Sequence, residues 1–237
     1  MVRFVLRLQS RLSRWGLADI LYVLSSFPIF ATFRLLVMAR NRIDVVGRDR
    51  LPPKGTGFFL LSNHISMAEG PTVACLLWPR PFWFPAKAEF YRSWIRGLGW
   101  LLLTGMRTFP VRRGERDGDA ISLMEQVLHA GDSVLLFPEG TRSRDGALQP
   151  GKKGVGMIIH NARPVVVPVY VQGFERIWQP GRRLPWGRRQ RARVVFGEPL
   201  DLDEFYAQPF SPETGQRIAD AVMNEIARLK AEAGEPV

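Results

Sequence analysis

The chain has 237 residues, 46% of them hydrophobic, which is enough for one sizeable core and short for two complete ones. Lysine and arginine exceed aspartate and glutamate by 33 to 22, a balance that favours anionic partners: nucleic acid, phospholipid, phosphorylated substrates or acidic carrier proteins. The single cysteine, Cys75, excludes an intrachain disulfide, and one cysteine with three histidines is too sparse for a zinc site of the usual spacing.

Residues 1–40 read as a membrane anchor. Arg3, Arg7, Arg11 and Arg14 recur at helical spacing, while Phe4, Val5, Leu8, Leu12 and Trp15 fall on another stripe, the pattern of a basic amphipathic helix lying in a membrane surface. The uncharged stretch from Ile20 to Phe33 is shorter than the roughly 20 residues of a spanning helix, and Ser25, Ser26 and Pro28 interrupt it. It is expected to form a bent apolar hairpin dipping into one leaflet. Asp19, at the head of that stretch, argues against a cleaved signal peptide. The expected localisation is monotopic or peripheral, on the cytoplasmic face.

Residues 41–237 form the second unit. Short β-rich runs alternate there with helical patterns, which predicts an α/β fold: a mostly buried central sheet of about seven strands flanked by helices. The strands fall at Ile43–Val46, Phe58–Ser62, Phe82–Pro85, Thr108–Val111, Ser133–Phe137, Val165–Val171 and Arg193–Phe196. A helix is predicted over Asp119–Ala130, with Ala120, Ile121, Met124, Val127 and Leu128 on one face and Gly131 as its stop. Ser211 and Pro212 suit the N-cap and first position of a last helix whose Ile218, Val222, Ile226 and Leu229 share a side. Between Arg176 and Arg193 the chain carries seven arginines, two tryptophans and no acid, which predicts a loop. Trp178 and Trp186 among arginines favour contact with a lipid headgroup layer over a solvated turn; single-stranded nucleic acid is the rival reading.

Two stretches can carry chemistry. NHISMAE, residues 63–69, places His64 where the apolar run FFLLSN ends and Glu69 five positions on. A turn there would bring the carboxylate to the imidazole, fixing its tautomer and stabilising the imidazolium, so that His64 could take a proton from a substrate hydroxyl. Spacing alone does not separate this from a structural histidine. The second stretch, SVLLFPEGTRSRDG, is a buried strand that breaks at Pro138 and opens into Glu139, Gly140, Thr141 and Arg142. Glycine beside arginine lets backbone amides and a guanidinium approach one anion together. TFPVRRG ends another apolar run in Arg112 and Arg113, and a phosphate site beside His64 is implied if the two strand ends are neighbours.

The chain resembles the glycerolipid acyltransferases, the family typified by 1-acylglycerol-3-phosphate acyltransferase. Asn63-His64 with four residues before the acid, then FPVRR, FPEGTRS and VVVPVYVQG, follow the order of that family's four motif blocks across about residues 43 to 200. The resemblance implies transfer of an acyl chain from acyl-CoA or acyl carrier protein to a lysophospholipid hydroxyl. It implies His64 as general base and Glu69 as its orienting acid. Lys87, Arg113, Glu139, Gly140, Thr141 and Arg142 become the acceptor-phosphate residues, and Pro168 a structural or acyl-site proline. No metal or redox cofactor is implied, the thioester being a cosubstrate, and no nucleic-acid partner. The family's usual acid is aspartate, so Glu69 is one methylene longer. That departure leaves open another lysolipid acceptor, and a non-catalytic lipid-binding protein would use the same anchor. GDSV, residues 131–134, resembles a lipase nucleophile block but is expected to be a helix-stop turn.

Overall fold

The computed structural model describes residues 17–87, 107–111, 118–143, 145–178 and 188–234. Its strands are β1 (Arg42–Val46), β2 (Phe58–Ser62), β3 (Phe84–Lys87), β4 (Thr108–Val111), β5 (Val134–Leu136), β6 (Val165–Gln172) and β7 (Arg191–Phe196). Its α-helices are α1 (Leu17–Phe33), α2 (Glu69–Leu77), α3 (Gly118–His129), α4 (Lys153–Ala162), α5 (Phe174–Ile177), α6 (Asp203–Tyr206) and α7 (Pro212–Ala233).

The predicted strands form, but as five plus two. One sheet has the order β1-β7-β6-β2-β5, and β3 pairs with β4 in parallel. Trp83 joins the two: its N–H donates to the Ser133 carbonyl at 2.8 Å and its carbonyl accepts from the Leu135 N–H at 2.8 Å, in parallel sense. Strands β2, β3, β4, β5 and β6 therefore point the same way and share one carboxyl-end rim. Strand β7 runs antiparallel to β6, and β1 parallel to β7, so their amino ends reach that rim. Ligands of open α/β sheets bind along such a rim.

The two faces are covered differently. On one, α3, α4 and α7 bury Leu123, Val127, Ile158, Ile159, Ile218 and Ile226 against Phe59, Val134 and Val166. The α7 stripe is as its spacing predicts, with Ile218, Val222, Ile226 and Leu229 all fully buried. Each such side chain contributes about 1.5–3 kcal/mol of hydrophobic stabilisation. Ser211 caps this helix, its Oγ accepting the Thr214 N–H at 3.1 Å, with Pro212 in the first turn. Gly156 lets α4 approach α7, since a Cβ there would lie 1.9 Å from the Gly215 carbonyl oxygen. On the other face α2 packs over Phe58, Leu60, Val167 and Val169.

Helix α1 lies outside α2, burying Tyr22 and Phe30 against Ala74 and Cys75. Here the structure corrects the sequence. The stretch expected to bend into a hairpin is, over its described residues, one helix that holds Pro28 and continues through a π-helical segment, Arg34–Met38. Arg34 does not end it: the residue is exposed, and its guanidinium donates to the Cys75 carbonyl at 3.2 Å near the end of α2. The run Asp19–Met38 thus reaches 20 residues and is long and apolar enough to cross a membrane by length and composition. Residues 1–16, with Arg3, Arg7, Arg11 and Trp15, lie outside the described residues. The arginine-rich loop is shorter than expected: Arg176 belongs to α5, and Arg191–Arg193 already belong to β7. GDSV is a helix stop, with Gly131 at φ +78° and the Ser133 hydroxyl accepting from the Phe58 N–H at 3.3 Å.

Candidate active site

Strand β2 ends at Ser62, and Asn63 directs the chain beyond it. The Asn63 amide is buried and bonds both main-chain groups of Val171, accepting from its N–H at 2.8 Å and donating to its carbonyl at 3.0 Å. Asn63 thus imitates one more residue of strand pairing with β6 and sets the point at which the chain leaves the sheet. His64 stands just beyond, on the carboxyl-end rim. Its imidazole stacks on Phe137 with ring centroids 4.0 Å apart and planes 12° from parallel. Its side chain is 14% exposed, open to solvent on a limited arc.

Glu69 opens α2 and reaches back toward the turn. Its Oε1 accepts the Ile65 N–H at 3.1 Å, the Ser66 N–H at 3.0 Å and the His64 Nδ1–H. With Nδ1 donating to the carboxylate, Nε2 carries the free lone pair and can accept a proton. Ser66 closes the turn, its hydroxyl donating to the Trp178 carbonyl at 2.9 Å and accepting from the Ala68 N–H at 3.3 Å. This ties the histidine turn to the start of the arginine-rich connection.

The loop after β5 wraps the other side of His64. Gly140 sits at φ +72°, the left-handed region that favours glycine, with its N–H donating to the Phe137 carbonyl at 3.0 Å. The Ser143 N–H donates to the His64 carbonyl at 2.7 Å, so the Glu139–Arg142 segment and the histidine are held together. Gly140 and Thr141 are exposed and Arg142 is half-buried, all three available to a ligand on the rim. Glu139 is different: it is 2% exposed and turned inward, its Oε1 accepting the His64 main-chain N–H at 3.2 Å. Burial pushes its carboxyl up to about 7, against two backbone donors, His64 and Gln149, and with the Glu69 carboxylate adding to the rise.

The remaining expected residues are placed by topology. Lys87 ends β3 on the same rim, and β4 ends at Val111. The ends of β5 and β4 are not neighbours, because β3 lies between them, which puts Lys87 nearer the histidine loop than the FPVRR strand end. Arg113 and Trp186 lie outside the described residues. Trp178 is half-buried and packs partly against the α2-side core. Phe137, Ser66 and Ser143 are site residues that sequence patterns did not single out. Only Phe137 had a signal there, as the aromatic residue ahead of the Pro138 break. An open pocket of about 380 Å³ lies beside this centre at the end of β6, lined by Ile65, Asp145, Tyr170, Gln172, Glu175 and Lys230 among others. His64 is not in its wall, and two acids there disfavour a phosphate.

A family model described as Acyltransferase matches residues 42–172, more than half of the chain and the whole of the His64–Glu69 and Glu139–Arg142 constellation, so the chain belongs to the Acyltransferase family. Among curated proteins, it is 31% identical over 142 residues to the chloroplastic 1-acyl-sn-glycerol-3-phosphate acyltransferase BAT2 of Brassica napus, covering 59% of this chain and 40% of that protein. It is 24% identical over 198 residues to the 1-acyl-sn-glycerol-3-phosphate acyltransferase of Bacillus subtilis (strain 168), covering 83% of this chain and 92% of that one. The chain thus spans about two fifths of the length of the plant relative and nearly all of the bacterial one. Its fold is similar to the crystal structure of the 1-acyl-sn-glycerophosphate acyltransferase PlsC from Thermotoga maritima, with a TM-score of 0.65 at 23% identity over 96% of this chain and 88% of that one.

Proposed function

We propose that this chain is a 1-acylglycerol-3-phosphate O-acyltransferase, moving a fatty acyl group from acyl-CoA or acyl carrier protein to the free hydroxyl of a lysophospholipid to give phosphatidic acid. The observation that carries the reading is the Glu69–His64 pair on the sheet rim, with Nε2 left free and the Glu139–Arg142 loop bonded to the same histidine. Nε2 takes the proton of the acceptor hydroxyl as its oxygen attacks the thioester carbonyl. The carbon–sulfur bond then breaks, and the departing thiolate recovers that proton from the imidazolium, which Glu69 stabilises meanwhile. Arg142, the Gly140–Thr141 turn, Lys87 and Arg113 hold the acceptor phosphate; a guanidinium suits its oxygens bidentately.

Membrane association fits an acceptor and product that live in lipid. Helix α1 packs along α2 with one side and exposes Ile20, Leu24 and Phe27 on the other, as its π-helical continuation exposes Leu35, which supports a helix lying in the interface against the domain. The arginine-rich connection, with Trp178 and Trp186, leaves from the same rim as His64 and adds attraction to anionic headgroups. The reading is a monotopic enzyme on the cytoplasmic leaflet that works without a metal or redox cofactor and has no nucleic-acid partner. Vesicle flotation checks the contact: Leu24→Asp with Leu35→Asp is expected to release the protein from phosphatidylglycerol vesicles, and undiminished binding would count against the exposed row as the lipid face.

The decisive assay is thiol release from palmitoyl-CoA and from palmitoyl-acyl carrier protein with lysophosphatidic acid in mixed micelles. His64→Ala is expected to lose about a hundredfold to ten-thousandfold of the acceptor-dependent rate. Arg142→Ala is expected to raise the acceptor KM. Wild-type rates in purified His64→Ala would sink the general-base mechanism.

A further inference from the structure

Glu139 lies in the loop assigned to the acceptor phosphate, yet its geometry is wrong for that task. A carboxylate repels a phosphate, and this one is buried with its Oε1 accepting the His64 main-chain N–H. Among the described residues its Oε2 is buried without a hydrogen-bond partner, as is Oε2 of Glu69. Burying a carboxyl group with few donors costs free energy, so the placement of Glu139 calls for a compensating use. The use visible in the fold is on the histidine's main chain. His64 N–H donates to Glu139 Oε1 at 3.2 Å, and His64 C=O accepts the Ser143 N–H at 2.7 Å. The two bonds straddle one peptide-chain residue, and both partners come from the loop after β5. Glu69 fixes the ring, and Asn63 fixes the chain before it.

We propose that Glu139 is a positioning residue: it clamps the backbone of the general base to the acceptor loop, so that loop and imidazole move as one body, and it does not itself bind the acceptor. This rests on the acyltransferase reading above and gives one member of its phosphate loop another task. A clamp of this kind sets the distance between Nε2 and a hydroxyl whose phosphate is held by Arg142 three residues on. Displacements of about 1 Å between such groups cost on the order of a hundredfold in rate. The proposal also explains why a glutamate is tolerated next to cation-bearing positions. Its charge is turned away from the ligand, and burial favours the neutral form.

The test compares Glu139→Ala with Glu139→Gln in the full chain. Glutamine keeps an oxygen able to accept the His64 N–H, so a clamp survives it while a charge-dependent role does not. The expected result is a fall in kcat of about tenfold to a hundredfold for the alanine variant with acceptor KM within about twofold, and recovery of most of that loss by glutamine. Hydrogen–deuterium exchange supplies a readout independent of turnover: the Asn63–Ser66 segment should exchange faster in Glu139→Ala than in wild type or Glu139→Gln, with α7 unchanged. Glutamine as damaging as alanine, or an acceptor KM raised at constant kcat, would overturn the clamp. If Glu139→Ala does not fold, Glu139→Gln decides alone: rates and exchange near wild type support the clamp, and a rate loss of alanine-like size refutes it. A wild-type protein that releases no thiol would defeat the acyltransferase reading, and the exchange data would still judge the clamp.

Discussion

The turn from Asn63 to Glu69 and the turn from Phe137 to Ser143 each carry a buried glutamate to the same histidine, and they use it in opposite ways. Glu69, at the first turn of α2, spends one oxygen on two main-chain N–H groups and the imidazole. Glu139 meets fewer donors, and burial outweighs them, pushing its carboxyl up to about 7. One carboxylate is arranged for charge and the other for shape. On the proposed reading, two residues of the same type at similar depth take different tasks because the number of N–H groups aimed at each differs.

The sharpest way to test that contrast is to remove the charge and keep the shape in both places. Glu69→Gln is expected to cost about a hundredfold to ten-thousandfold in kcat, because a neutral amide neither stabilises the imidazolium nor dictates the Nδ1–H tautomer. Glu139→Gln should cost far less. Steady-state thiol release on the two variants side by side is the measurement, and equal losses would break the contrast.

A smaller effect appears in stability against pH. Glu139 titrates near its ordinary value of 4.5 in the unfolded chain and near 7 in the folded one, so between those pH values the folded state holds the proton more tightly. For this group, stability is greatest below the lower value and is lost as pH rises through the upper one, with a slope of at most about 1.4 kcal/mol per pH unit. Glu139→Gln has no such proton to lose. Its melting temperature relative to wild type should therefore climb between about pH 5 and pH 8, followed by differential scanning fluorimetry. A constant difference would mean that the carboxyl titrates normally.

How much of the fold and site was legible in the sequence depends on the range of each interaction. Strands β2, β5 and β6 could be read because parallel strands buried on both faces appear as short apolar runs, and the last helix because Ser211, Pro212 and a 3.6-residue stripe are local signals. The pairing of His64 with Glu69 could be suspected because it spans five positions within one turn. The contact of Glu139 with the His64 N–H joins residues 75 apart and depends on β2 and β5 being sheet neighbours, which no local pattern encodes. The helix that continues through Arg34 escaped for a similar reason, since the packing of α1 on α2, with Arg34 donating to the Cys75 carbonyl, joins residues 41 positions apart. The place of β3 between β5 and β4 depends on Trp83, a single bridging residue. Motif order alone therefore left the FPVRR strand end nearer the histidine than the fold puts it.

The finest test of the contrast is Glu69→Asp, which keeps the charge and shortens the reach by one carbon–carbon bond, about 1.5 Å. The Cα of residue 69 is fixed by α2, so the carboxylate can regain the ring only if the histidine turn retreats toward the helix. The N–H groups of Ile65 and Ser66 could move with it, since they belong to that turn. His64 itself resists, being held by the two hydrogen bonds between Asn63 and Val171 and by Glu139 and Ser143 on its own main chain. The expected outcome is a loss of about tenfold in kcat at unchanged acceptor KM, smaller than for Glu69→Gln because charge survives and larger than zero because position does not. Combining Glu69→Asp with Glu139→Ala should then recover part of the rate lost in Glu139→Ala, since an unclamped histidine can move to meet the shorter acid. Strictly additive losses in the double variant would mean that the two turns do not act on a common position of His64.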